Sequence, residues 1–440
     1  MEVKKDVEME EDSDSESSMS GEEEEDKKKK SSKVYLPNQP LEKGEHLVHD
    51  ESSYVLYHQA QTGSPCLSFD IIPDDLKENR QDFPLTAYIA AGTQAEQGRP
   101  NHLIVMKMSN LHGTKKQTDS SDLESEDSDD EDEKSKPELL TAMVIHHGGV
   151  NRIRCTKMGD THLAATFSDR RSVHIWDLSK QLSAVENTGL LADFVADRKK
   201  KAVLPLFTFA GHMDEGFALD WSGTVPGQLL SGDCKNNIHL WKAKEGGTWH
   251  VDQRPFQGHT GSVEDIQWSP NERSVFASCS VDQTVRIWDV RASPARACML
   301  TTKAHDADVN VMDWNRNDPF IVTGGDDGLI KVWDLRQFDK GISIAKFKHH
   351  TAPITSVEWH KTDRSVFAAS GSDDQLTQWD LAVETDDNDS TQSLSSIPPQ
   401  LLFIHQGQKD IKELHWHSQI PGLIISTALD GFNVFRTISV

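Results

Sequence analysis

The stretch Gly258–Val290, GHTGSVEDIQWSPNERSVFASCSVDQTVRIWDV, decides how the rest of the chain is read. It divides into SVEDIQW, VFASCS and TVRIWDV, separated by SPNER and VDQ, and a fourth run, ACMLTTK, follows at 297–303. The runs are rich in Val, Ile, Thr and Trp, whose branched or flat side chains suit a pleated surface. The intervals carry the Asn, Asp, Ser and Pro of tight turns. The expectation is a unit of four short antiparallel strands. Both its faces are apolar, so it packs between neighbours rather than against water.

Working outward, the unit recurs. HIWDL (174–178), HLWKA (239–243), RIWDV (286–290), KVWDL (331–335) and TQWDL (377–381) repeat the third strand, and NVFRT (433–437) is a decayed copy. Trp241, Trp288, Trp333 and Trp379 lie 47, 45 and 46 residues apart. His147, His212, His259 and His350 each stand 29 residues before the Trp of their copy, and His305 stands 28 before Trp333. A second series, Trp221, Trp268, Trp314, Trp359 and Trp416, falls between. A degenerate copy fits CLSFDII, LTAYIAAG and HLIVMKM within 65–108, with LLTAMVIH (139–146) as its outer strand. This period, with Gly-His and Trp-Asp near its ends, predicts an all-β, seven-bladed WD40 β-propeller over 65–440. Val34–Tyr35–Leu36 is the expected outer strand of the last blade, which would close the ring and remove free sheet edges.

The chain has 440 residues and a net charge of −25, but the charge is not spread evenly. Residues 1–30 carry −7, 119–133 carry −10 and 384–389 carry −4, leaving −4 for the rest. Residues 1–33 and the insertions 117–137 and 384–399 are acidic and serine-rich, cannot bury enough apolar surface to order themselves, and are expected to be disordered. Residues 34–64 hold the closing strand and a short N-terminal helix. The body is thus nearly neutral with acidic appendages, which repel naked nucleic acid and attract basic proteins. No apolar run reaches the length of a membrane span, and the acidic N-terminus reads as neither a secretory signal nor a transit peptide. Five scattered cysteines without a C-x-x-C pair read as reduced intracellular thiols with no zinc site.

The repeated His and Trp, with Asp282, Asp327 and Asp373 each six residues before a Trp, read as a buried hydrogen-bond chain. Arg170 and Lys235 occupy the aspartate position in two copies, so the chain there must be rearranged or absent. The pairs His146–His147 and His349–His350 are accounted for by this pattern, so no metal is expected. No G-x-S-x-G, P-loop, G-x-G-x-x-G or H-E-x-x-H is present, so no enzyme activity and no cofactor are expected.

SNLHGTK (109–115), GHMDEGFALDWS (211–222) and PPQLLFIHQG (398–407) resemble the glutamate-rich WD-repeat family. SPCLSFDIIPD (64–74), through Pro65, Leu67, Pro73 and Asp74, is similar to the wider group of retinoblastoma-binding histone chaperones. The resemblance implies a nuclear and nucleolar, chromatin-associated protein. It would chaperone a basic large-subunit ribosomal protein, bind histones and act at replication-origin chromatin. It also implies a side groove between an N-terminal helix, here 50–60 with Asp50 as N-cap, and an acidic loop ending in Pro398–Pro399. Tyr54, Leu56, Tyr57 and Leu401 would form its apolar wall, and Asp386, Asp387 and Asp389 its rim. The second acidic segment for a basic client is Asp122, Glu124, Glu126, Asp127, Asp129, Asp130, Glu131, Asp132 and Glu133.

Ser13, Ser20, Ser121 and Ser128 each have an acidic residue three positions on, the pattern for an acid-directed kinase, and Lys27–Lys30 with Lys33 read as an import signal. A second functional reading comes from Trp288-Asp289-Val290-Arg291 and Trp333-Asp334-Leu335-Arg336. They resemble the W-D-x-R box of cullin-ligase substrate receptors, with Arg291 and Arg336 contacting the adaptor.

Overall fold

A computed structural model describes residues 2–5, 33–34, 45–48, 50–114, 136–383 and 398–440. Seven four-stranded antiparallel sheets follow one another, and the innermost strand of each packs on the innermost strand of the next, the last on the first. We number the blades 1 to 7 and their strands a to d from the centre outward. Blade 1 is Cys66–Ile71, Leu85–Thr93, Asn101–Leu111 and Glu138–His146, the degenerate copy with its expected outer strand. Strands a of blades 2 to 7 are Val150–Met158, Ala218–Trp221, Val263–Trp268, Val309–Trp314, Ile354–Trp359 and Glu413–Trp416.

Blade 7 closes differently from the sequence expectation. Its outer strand is Tyr54–Ala60, paired with Gly431–Thr437, whereas Lys33–Val34 pairs with Glu2–Lys5 in a separate three-stranded sheet. Residues 35–36 lie outside the described residues. The helix expected over 50–60 reduces to one 3-10 turn, Glu51–Ser53, which Asp50 does cap by accepting from the Ser52 amide at 2.9 Å. Beyond it, Tyr54 and Leu56 alternate inward, and both are buried. The β-forming run YVLY gains more by completing a blade than by forming a helix on its surface.

Two helices fall outside the sequence expectation. α1, Ser179–Ala184, and α2, Thr188–Lys200, form the c–d connection of blade 2 and pack on the outer strand of blade 1, where Arg198 donates to the Met143 carbonyl. Asn187 caps α2, accepting from the Leu190 amide at 2.9 Å.

Each mature blade carries the expected hydrogen-bond chain. In blade 4 the His259 Nδ1–H donates to Asp282 at 2.9 Å, Ser278 Oγ–H donates to Nε2 at 2.7 Å, and Trp288 Nε1–H donates to Ser278 Oγ at 2.8 Å. Burial lowers the histidine's pKa, so it is neutral with the proton on Nδ1 facing the carboxylate. His305 with Asp327 and His350 with Asp373 repeat the contact at 2.9 Å. In blade 3, where Lys235 holds the usual position, Asp233 takes the role, 3.0 Å from His212. In blade 2 the buried histidine is His146 rather than His147. It shares Thr166 Oγ1 with Trp176 and meets the Gly148 carbonyl in place of an aspartate.

A second device joins the blades around the channel. Asp70 accepts from the Cys155 amide, Asp220 from Trp268, Asp265 from Met312, Asp313 from Trp359, Glu358 from Trp416 and Glu413 from Phe69, at 2.6 to 3.1 Å. Each carboxylate belongs to a strand a and each amide to strand a of the following blade, so six of seven interfaces are pinned in one circular sense. Between blades 2 and 3, Arg152 Nε–H donates to the Phe217 carbonyl at 2.6 Å instead. Charge-assisted bonds of this kind exceed neutral ones in strength.

Candidate functional site

The antiparallel pairing of Tyr54–Ala60 with Gly431–Thr437 sets Tyr54 opposite Thr437, the end of strand c of blade 7. The chain before Tyr54 therefore enters on the face that carries the c–d connections. Both internal acidic segments are c–d connections, of blade 1 (between Leu111 and Glu138) and of blade 6 (between Asp380 and Leu401). Blades 6, 7 and 1 are consecutive around the ring, so the roots of all three acidic segments occupy one rim.

Hydrogen bonds tie these roots together. The Thr114 amide donates to the Val55 carbonyl at 3.0 Å, the Thr114 hydroxyl donates to the Tyr54 carbonyl, and His58 Nε2 meets the His112 carbonyl at 2.9 Å. On the other flank, the Tyr54 ring packs edge-on against Phe403 at 5.4 Å, and its hydroxyl bonds His405 Nδ1 at 2.7 Å. The Ile438 amide reaches the Ser53 carbonyl at 3.3 Å, and Ser439 Oγ donates to the Leu402 carbonyl at 3.4 Å. Tyr54 is thus the junction of three chain segments. Burial pushes its phenol well above the ordinary value, so it stays a neutral donor.

This placement changes the role of the residues expected to line a groove. Tyr54 and Leu56 are core, at 5% and 0% exposure, and do not form an open wall. Tyr57 is half-buried, its hydroxyl accepting from Gln59 at 2.6 Å and facing Asn433. Pro398 and Leu401 are half-buried and Pro399 is exposed, with the Leu401 amide closing a turn onto the Pro398 carbonyl. Asp386, Asp387, Asp389, the carboxylates of 122–133, and Ser13, Ser20, Ser121 and Ser128 lie outside the described residues.

Arg291 and Arg336 stand on the same face in blades 4 and 5, away from the acidic rim. Each clasps the aspartate of its own Trp-Asp pair: Arg291 Nε lies 2.9 Å from Asp289 Oδ2, and Arg336 Nη2 lies 2.7 Å from Asp334 Oδ2. The hydrogen bonds from the arginines hold both aspartates below the usual carboxylate range.

The channel mouth opens on this face as a cavity of about 640 Å³, lined by the carboxylates of the collar. Burial drives Asp220 up to about 8, with Asp265 and Asp313 adding to the shift. Across the channel, burial works against the charge of Glu413, but Arg154 and Arg152 outweigh it and hold the group far below its ordinary value. His415 is likewise held up to about 10 by Glu358 and Glu413 against the effect of burial. These carboxylates already accept from backbone amides, which gives them a structural task. Among the described residues no His, Cys, Asp and Glu come together in a metal-binding group. Sequence reasoning passed over the collar, although a signal was present: Asp220, Asp313 and Glu358 each directly precede a Trp of the second series.

With this geometry in hand, the likenesses are informative. Residues 44–112 match the family described as histone-binding protein RBBP4 or its counterpart in the CAF1 complex, and 251–289, 296–334 and 341–380 match the WD domain, G-beta repeat. The chain is 46% identical over 422 residues to glutamate-rich WD repeat-containing protein 1 of Dictyostelium discoideum, covering 90% of this chain and 83% of that one. It is 42% identical to ribosome assembly protein rrb1 of Schizosaccharomyces pombe, over 93% of this chain and 85% of that one. It is 44% identical to protein HEAT STRESS TOLERANT DWD 1 of Arabidopsis thaliana, over 92% and 91%. The match spans the ring and all seven blades, and the chain belongs to the family of glutamate-rich WD repeat-containing proteins.

Proposed function

We propose that this chain is a non-enzymatic, nuclear and nucleolar chaperone that holds basic clients at the rim of blades 6, 7 and 1. The clients are a large-subunit ribosomal protein during ribosome assembly and histones in chromatin. The carrying observation is the convergence of the three acidic-segment roots on Tyr54–Val55, because those segments account for nearly all of the net charge of −25. Such an arrangement surrounds a cationic guest with carboxylates while a rigid edge fixes where it sits. The relative named for ribosome assembly and the match to a histone-binding family support the two client classes. Affinity purification at moderate salt is expected to recover large-subunit ribosomal proteins, histones or both. Recovery of neither rejects the reading.

A second reading, adaptor docking for a cullin ligase, is favoured by the exposure of Arg291 and Arg336 on neighbouring blades and by the DWD in one relative's name. Replacing both arginines with alanine is expected to abolish capture of the adaptor and leave client capture intact. Unchanged adaptor capture removes this reading.

A further inference from the structure

The insertion in blade 2 has a surface that the client reading does not use. Between α1, α2 and the extended segment after them lies a groove of about 820 Å³. Its floor includes Phe194, and its apolar wall is formed by Leu190 and Leu204, which are 44% and 73% exposed. Bulky aliphatic side chains so open to water, gathered on one concavity, mark an unoccupied contact surface rather than scattered surface residues. The lining also carries Lys180, Arg198 and Lys201 against a single carboxylate, Asp197. On a chain with a net charge of −25, this groove is locally cationic.

We infer that this groove docks an acidic amphipathic segment of another protein, a helical turn or two with Leu or Phe toward the floor and Asp or Glu along the flanks. Charge complementarity selects the partner. Lys180 and Lys201 sit at the rim with aliphatic stems that extend the apolar wall, so they meet flanking carboxylates while the floor takes the apolar face. A basic client is repelled here, which separates this surface from the acidic rim. The chain's own acidic block 119–133 is tethered nearby, since the strand Glu138–His146 under α2 follows it directly. That block offers carboxylates but one bulky apolar residue, Leu123, and does not supply the apolar face the groove accommodates. The surface thus gives the protein a second, oppositely charged attachment point while the rim holds its client.

The probe is a labelled peptide of about 16 residues, long enough to present four helical turns, with Leu at i, i+3, i+4 and i+7 and Glu at the flanking positions. Fluorescence anisotropy with the full chain is expected to show saturable binding. Leu204→Asp and Lys201→Glu, both at exposed positions and therefore harmless to the fold, should each weaken it by at least about tenfold, and a Lys-for-Glu peptide should lose binding similarly. Absence of saturable binding, or affinity unchanged in Leu204→Asp, overturns the inference. Binding that appears only when residues 115–135 are deleted assigns the groove to the chain's own acidic block and also overturns it.

Discussion

Glu413→Ala is expected to destabilise the ring by about 3–5 kcal/mol, the usual cost of removing one partner from a buried ionic network. Glu413 is 1% exposed and sits where blade 7 closes onto blade 1. One oxygen meets Arg152 at 2.7 Å and Arg154 at 2.9 Å, while the other accepts from the Ser68 hydroxyl and the Phe69 amide at 2.7 and 2.8 Å. Alanine leaves two guanidinium groups and two neutral donors without their acceptor at the seam where the ring must shut. Glu413→Gln retains an acceptor and loses the charge, so its cost should fall between wild type and alanine. Chemical denaturation reads both, through a lower midpoint at constant slope. The pH dependence has a definite sign. The carboxyl is held far below its ordinary value of 4.5 in the folded state. Its contribution is therefore complete above that value and is lost as pH falls below it toward the folded pKa. The Gln variant should lose less stability than wild type on acidification through that range. Equal midpoints for wild type and Glu413→Ala would show that the collar does not hold the ring.

The repeat was legible because each blade repeats the same burial problem. Trp241, Trp288, Trp333 and Trp379 are all fully buried, and a buried indole N–H needs a nearby hydroxyl, which fixes a spacing the eye can follow. Where two residues can fill one role, the pattern slips by a position, as with His146 beside His147 and with Asp233 beside Lys235. The closing strand was harder because its partner, Gly431–Thr437, lies at the far end of the chain, and nothing local to DESSYVLYHQA shows it. Read alone, Tyr54, Leu56 and Tyr57 suit one face of a helix; only the edge left open by blade 7 makes them a strand. Helix α2 escaped notice because its apolar residues form no clear stripe: Leu190 is exposed while Leu191 and Phe194 turn toward blades 1 and 2. The acidic blocks were plain in the composition, whereas their shared rim emerged only from strand direction.

Neutralising the acidic segments is expected to have the largest effect on function. Residues 119–133 and 384–389 hold 14 carboxylates, and replacing them with Asn, Gln or Ser leaves the blades untouched because both segments are connections between strands c and d. If each solvent-exposed carboxylate contributes about 0.2 kcal/mol to holding a cationic guest, the total is roughly 2–3 kcal/mol, or about 30- to 150-fold in affinity. The same carboxylates set the salt response, since their attraction is screened over about 8–10 Å at ordinary ionic strength. The decisive measurement is the dissociation constant of a basic large-subunit ribosomal protein, taken across a salt series for the wild-type chain and for the neutralised one. The predicted result is weaker binding by at least about 30-fold at low salt, with a clearly flatter salt dependence in the neutralised chain. Equal affinities and parallel salt slopes would contradict the account.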